Sequence, residues 1–112
     1  MGVSLNLLVL RCKDIHISKA FYEKLGLSFQ LEKHGGGPKH YATQMDGLVL
    51  ELYPLKTESD VSDIRLGLSV SYDGELLSLL KQYDIEVTSI NNLDGSKSFV
   101  VEDPDGRKIE LT

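Results

Sequence analysis

Two glutamates occupy matching settings in this chain. Asp46-Gly47-Leu48-Val49-Leu50-Glu51-Leu52 and Asp105-Gly106-Arg107-Lys108-Ile109-Glu110-Leu111 superpose with a shift of 59 residues. Each Asp-Gly pair marks a tight turn. In the strand that follows, alternation puts Leu50, Leu52, Ile109 and Leu111 on one face and Glu51 and Glu110 on the other. A carboxylate on a shielded sheet face can move a proton or hold a ligand, whereas on an open face it is simply solvated. His40 joins this face. Antiparallel pairing about Asp46-Gly47 sets Ala42 opposite Glu51 and leaves His40 and Tyr53 on the glutamate's side. An imidazole there can act as an acid or base, can bind a transition metal when neutral, or can simply hydrogen-bond at a strand end. His16 and His34 fall at a helix start and in a glycine-rich loop, where surface roles are expected.

These residues need elements to position them. Leu5 to Cys12 is a nearly continuous apolar run and reads as a strand. Asp14 offers an N-cap carboxylate, Ile17, Phe21 and Leu25 recur at helical spacing, and Gly26 is placed to end the helix. Leu27 to Glu32, Tyr41 to Met45 and Leu48 to Tyr53 read as strands, with the loop His34 to Pro38 as a flexible rim. The same order returns: a strand over Ile64 to Ser71, a helix over Asp73 to Tyr83 with Leu76, Leu79, Leu80 and Tyr83 on one side, and a strand over Ile85 to Ile90. Two further strands, Ser98 to Glu102 and Arg107 to Thr112, flank the turn Asp103-Pro104-Asp105-Gly106. A shift of 58 sets Leu8 on Leu66, Leu10 on Leu68, Phe21 on Leu79, Leu27 on Ile85 and Phe29 on Val87. Both halves therefore read β-α-β-β-β, with one residue gained between them.

With 112 residues, 41% of them apolar, the chain suits one domain with a modest core. Its expected organisation is module one at 1–54, a connector at 55–63 and module two at 64–112. Seventeen acidic residues against twelve basic ones give a net charge of -5, a field that opposes phosphate backbones and anionic membrane surfaces, so neither nucleic acid nor membrane is expected as a partner. The lone Cys12 cannot form an internal disulfide, the opening residues lack a signal-peptide pattern, and the expected location is the cytoplasm.

Two tandem β-α-β-β-β modules, opened by Leu10-Arg11-Cys12-Lys13-Asp14, Ser18, Phe21-Tyr22 and Leu25-Gly26-Leu27 and closed by Asp103-Pro104-Asp105-Gly106-Arg107-Lys108-Ile109-Glu110-Leu111, resemble the glyoxalase, bleomycin-resistance and extradiol-dioxygenase superfamily, also called vicinal oxygen chelate proteins. The resemblance spans nearly the whole chain. It implies an α+β fold in which the modules' sheets curl around a cup, with helices outside and the polar strand faces lining the hollow.

In metal-dependent members of that family, ligands come from the first and last strand of each module, and the matching positions here are Leu7, Glu51, Arg65 and Glu110. Leucine has no donor atom, and a guanidinium stays protonated and offers no lone pair. Two unit charges about 4 Å apart at an effective dielectric of about 20 interact by roughly 4 kcal/mol, and a divalent ion doubles the repulsion from Arg65. No metal or other cofactor is therefore expected at the usual place. Arg65 is expected to act as the cup's internal counter-cation to Glu51 or Glu110. The alternative is a displaced zinc or nickel ion held by His40, Glu51 and Glu110.

Three functions follow. The first is a binding protein like the bleomycin-resistance proteins, sequestering a small molecule among Leu7, His40, Glu51, Tyr53, Arg65 and Glu110, although a chain with no tryptophan lacks a broad stacking surface. The second is a glyoxalase-like lyase or isomerase in which Glu51 or Glu110 is the base and His40 or Arg65 polarises the substrate. The third is a retired enzyme domain serving in protein association. The resemblance also implies a homodimer, consistent with the exposed edge of a curled half-barrel.

Overall fold

The strands are short and their order in each sheet departs from their order in the chain. The computed structural model describes residues 2–57, 61–72 and 74–112 and divides into two compact units, Met1–Ser62 and Asp63–Thr112. In the first, β1 (Leu7–Cys12), α1 (Ile15–Lys24), β2 (Gln30–Glu32), β3 (His40–Met45) and β4 (Leu48–Pro54) form a sheet in the order β1-β4-β3-β2 with one helix. In the second, β5 (Leu66–Leu68), α2 (Leu76–Gln82), β6 (Thr88–Asn91), β7 (Lys97–Glu102) and β8 (Lys108–Leu111) repeat that order as β5-β8-β7-β6. The fold is thus α+β, with two tandem β-α-β-β-β modules. Each module pairs its first and last strands in parallel, Val9 beside Glu51 and Gly67 beside Glu110.

The β3–β4 turn shows why Asp46-Gly47 is needed. Both residues have positive φ, 41° and 83°, the geometry whose twist matches that of the flanking strands. Beyond the turn, Leu50 and Leu52 are wholly buried, as are Ile109 and Leu111 in the second unit. Leu10, Cys12, Tyr22, Leu25 and Phe29 join the first core, and Leu79, Leu80, Val100 and Val101 the second.

Helix α1 begins as its sequence predicts, with Asp14 Oδ1 accepting from the backbone N–H groups of His16 and Ile17 at 2.9 and 3.2 Å. Its inward face differs from the one expected. Ser18, Tyr22 and Leu25 are buried, whereas Ile17 is exposed, so the helix is turned about one residue from the Ile17-Phe21-Leu25 stripe. The larger Tyr22 takes the core position. Helix α2 is shorter than expected and is preceded by Glu75 without a side-chain cap; the anticipated start at Asp73 lies outside the described residues, as do positions 58–60 of the connector. Ser62 is held to β1 by its Oγ accepting from Arg11 N–H at 3.0 Å. No helix among the described residues is long and apolar enough to cross a membrane.

A buried ion cluster closes the second unit. Arg107 Nε donates to Asp103 Oδ2 at 2.7 Å and Arg107 Nη2 to Asp105 Oδ2 at 2.9 Å, while Asp103 Oδ1 also accepts from Arg107 N–H at 3.0 Å. The Asp103-Pro104-Asp105-Gly106 turn is therefore fixed by the residue that follows it.

Candidate functional site

Strand register brings distant residues onto one face of the first unit. Glu32 pairs with His40 across the glycine-rich loop, Ala42 with Glu51 across the β3–β4 hairpin, and Arg11 with Tyr53 across the parallel seam. Directly opposed residues point to the same side, and residues two apart share it. Glu32, His40, Glu51, Tyr53 and Arg11 are thereby gathered on the side away from Leu50 and Leu52.

His40 is at the centre of this group. Its side chain is 1% exposed, and its Nε2 lies 3.1 Å from Glu51 Oε2 and 3.5 Å from Glu32 Oε1. Its ring stacks on Tyr53 with centroids 4.1 Å apart and planes 11° from parallel. Nδ1 is 3.2 Å from the Pro38 carbonyl oxygen, which can only accept, so Nδ1 carries the proton of that bond. Glu51 is largely enclosed, its side chain 13% exposed. His34, in the loop, brings its Nε2 to 3.8 Å from Glu32 Oε1 and its ring centroid to 5.2 Å from that of His40. Arg11 sits over Tyr53, Cζ 4.9 Å from the ring centroid, and Arg11 Nη1 donates to the Pro54 carbonyl at 3.1 Å. Burial raises the Tyr53 phenol above its ordinary value, the Glu51 carboxylate adds to the rise, and Arg11 opposes it.

A hollow of about 270 Å³ adjoins the cluster, walled by Ser28, Gln30, Glu32, Ala42, Thr43, Gln44 and Val49. Glu32 belongs to both. Two side-chain amides and a carboxylate give the hollow donors and acceptors, and Ala42 leaves room above the sheet.

Leu7, Arg65 and Glu110 are the other residues that the sequence singled out. Leu7 is half exposed at the start of β1, beside Val49 in register. In the second unit, Arg65 Nη2 donates to Glu110 Oε2 at 3.1 Å, both side chains being substantially exposed. Shifts of 58 and 59 set Ile90, Asn92, Ser98 and Glu110 where the first unit has Glu32, His34, His40 and Glu51. The second unit thus keeps one of the four ionisable groups, and Ser98 is buried and accepts from Asn92 Nδ2 at 3.0 Å.

The profile of the Glyoxalase/Bleomycin resistance protein/Dioxygenase superfamily matches residues 4–111. The chain belongs to this superfamily. Solved structures of similar fold include an integron cassette protein from the mobile metagenome of V. cholerae, 26% identical, with a TM-score of 0.68 and coverage of 99% of this chain and 95% of that one. A virulence protein from Salmonella typhimurium is 22% identical with a TM-score of 0.73, covering 99% and 96%. Lactoylglutathione lyase from Agrobacterium tumefaciens is 17% identical with a TM-score of 0.73, covering 98% and 92%. No curated protein matches the chain.

The metal positions implied by superfamily membership do not fit a metal here. Leu7 supplies no donor, and Arg65 supplies a cation already bonded to Glu110. Among the described residues, the group able to hold an ion is Glu32, His34, His40 and Glu51, with one donor atom from each lying within 4.8 Å of the others. Glu32 and His34 are absent from the sequence-derived site. The signal that could find them is the hairpin register: pairing Glu32 with His40 folds the loop so that His34 returns beside both.

Proposed function

We propose that this superfamily member binds a small polar molecule in the hollow of its first unit, with His40, Glu51 and Tyr53 forming one end of the site, and sequesters it without altering it. The observation that carries this reading is a buried imidazole, held flat by Tyr53 and facing two carboxylates, one of which, Glu32, lines a hollow of about 270 Å³. A polar group of this kind is costly to bury unless a ligand or ion uses it. Gln30 and Gln44 would read the ligand's oxygen and nitrogen atoms, and the hollow is too small and too polar for a large flat aromatic compound. Pairing with Glu110 supports Arg65 as a local counter-cation. The working form is proposed to be a cytoplasmic homodimer, since outer strands such as β2 and β6 leave backbone groups for a further strand.

A lyase or isomerase is the second reading, favoured by the 3.1 Å approach of Glu51 to His40. Glu51 would take a proton from a carbon next to a carbonyl and share it with the His40 Nε2 lone pair beside it, while the Gln44 side-chain amide donated to the developing oxyanion.

Native mass spectrometry of the purified protein, followed by calorimetric titration with small hydroxy- and oxo-acids, tests the proposal. Retained organic mass, or binding lost in Gln44→Ala, supports it. Absence of both, with the hollow accessible to a covalent probe on Ala42→Cys, overturns it. Conversion of a bound compound, abolished by Glu51→Gln, moves the protein to the second reading.

A further inference from the structure

The geometry points to a divalent transition-metal site built wholly within the first unit, from Glu32, His34, His40 and Glu51, of which Glu51 alone stands at one of the family's own ligand positions. With the Nδ1 proton engaged by the Pro38 carbonyl, Nε2 of His40 presents a lone pair. That atom is buried and makes no hydrogen bond, although Glu51 Oε2 and Glu32 Oε1 stand 3.1 and 3.5 Å away. Neither oxygen lies where an Nε2 proton would be shared with it. A lone pair and two carboxylates converging on one space repel one another, and a cation in that space removes the conflict.

The spacing suits a metal ion. Bonds of about 2.0–2.1 Å in a tetrahedral zinc site place ligand atoms roughly 3.4 Å from each other. Three of the six donor separations, at 3.1, 3.5 and 3.8 Å, bracket that value, and all six lie within 4.8 Å. Two imidazoles and two carboxylates suit zinc or another late first-row ion better than magnesium or calcium, and the two negative charges match the ion's two positive ones. The supporting contacts are those of a ligating histidine: the far ring nitrogen is tied to a backbone carbonyl, and Tyr53 holds the ring plane. Because the second unit carries Ile90, Asn92 and Ser98 at the corresponding positions, the inference predicts one ion per chain. The ion would share Glu32, His40 and Glu51 with the proposed ligand site, but zinc uptake by ligand-free protein and ligand binding sensitive to Gln44→Ala are separate measurements, so either can fail without the other.

The test is calorimetric titration of chelator-stripped protein with zinc chloride, paired with native mass spectrometry. One zinc per chain is expected for the wild type and for Glu110→Gln. Glu32→Gln and His34→Ala, which alter residues at the rim of the cluster, are expected to weaken binding at least about 10-fold. His40→Ala is expected to abolish it, with circular dichroism confirming the fold. A cobalt-substituted sample should show the visible bands of a four-coordinate ion, lost in His34→Ala. A stripped wild type that takes up no zinc overturns the inference, as do Glu32→Gln and His34→Ala variants that bind as tightly as the wild type, or binding abolished by Glu110→Gln.

Discussion

His40 and Glu51 approach to 3.1 Å through atoms that make no hydrogen bond with each other. Replacing the carboxylate by an amide supplies the missing donor. Glu51→Gln is therefore expected to stabilise the metal-free protein by about 0.5–1.5 kcal/mol, the net value of one buried hydrogen bond. Urea unfolding in the presence of a chelator measures this, and a loss of stability would show that the pair is already satisfied.

Arg107 is buried, with the Asp103 and Asp105 side chains buried against it. Arg107→Ala is expected to cost about 3–5 kcal/mol, since it strands two carboxylates without their cation. Chemical unfolding followed by circular dichroism provides the number, and a cost below about 1 kcal/mol would mean water reaches the aspartates.

The cap of α1 should give a smaller, local effect. Asp14→Ala removes the acceptor for two backbone N–H groups and is expected to cost about 1 kcal/mol, with Asp14→Ser recovering most of it. Hydrogen exchange at His16 and Ile17 should rise in the alanine variant.

Asp94 supplies a dependence on pH. Its carboxylate accepts from Ser96 Oγ at 2.6 Å and from Ser96 N–H at 3.0 Å, and these bonds hold its pKa below the ordinary 3.8. A lowered folded value means that its contribution is present above pH 3.8 and lost as pH falls through the folded value. Carbon-detected NMR titration should place Asp94 below 3.8 and show Ser96→Ala moving it back up.

Much of the fold is legible in the sequence because it is written twice. Alternation of Leu50 and Leu52 with Glu51 gives the inward and outward faces, and Asp46-Gly47 fixes the hairpin that sets their register. The inward side of α1 is not legible in the same way, because Ile17 and Phe21 are more apolar than Ser18 and Tyr22, and only packing reveals that the latter pair fills the core. At the site, the proximity of His40, Glu51 and Tyr53 follows from strand pairing. Glu32 and His34 are harder to read, because the β2–β3 register that pairs Glu32 with His40 depends on the path of residues 33–39, where glycines leave the backbone many routes.

The parallel seam has a consequence for how the chain acquires its structure. β1 and β4 stand at opposite ends of the first module, yet Leu7 lies beside Val49 and Cys12 beside Pro54. The β3–β4 hairpin is local, but β1 gains its partner only after about forty residues beyond it have been made, so closure of the seam is a late and entropically demanding event. During synthesis the opening strand must wait with its apolar side uncovered, a period in which chaperone binding competes with completion of the sheet.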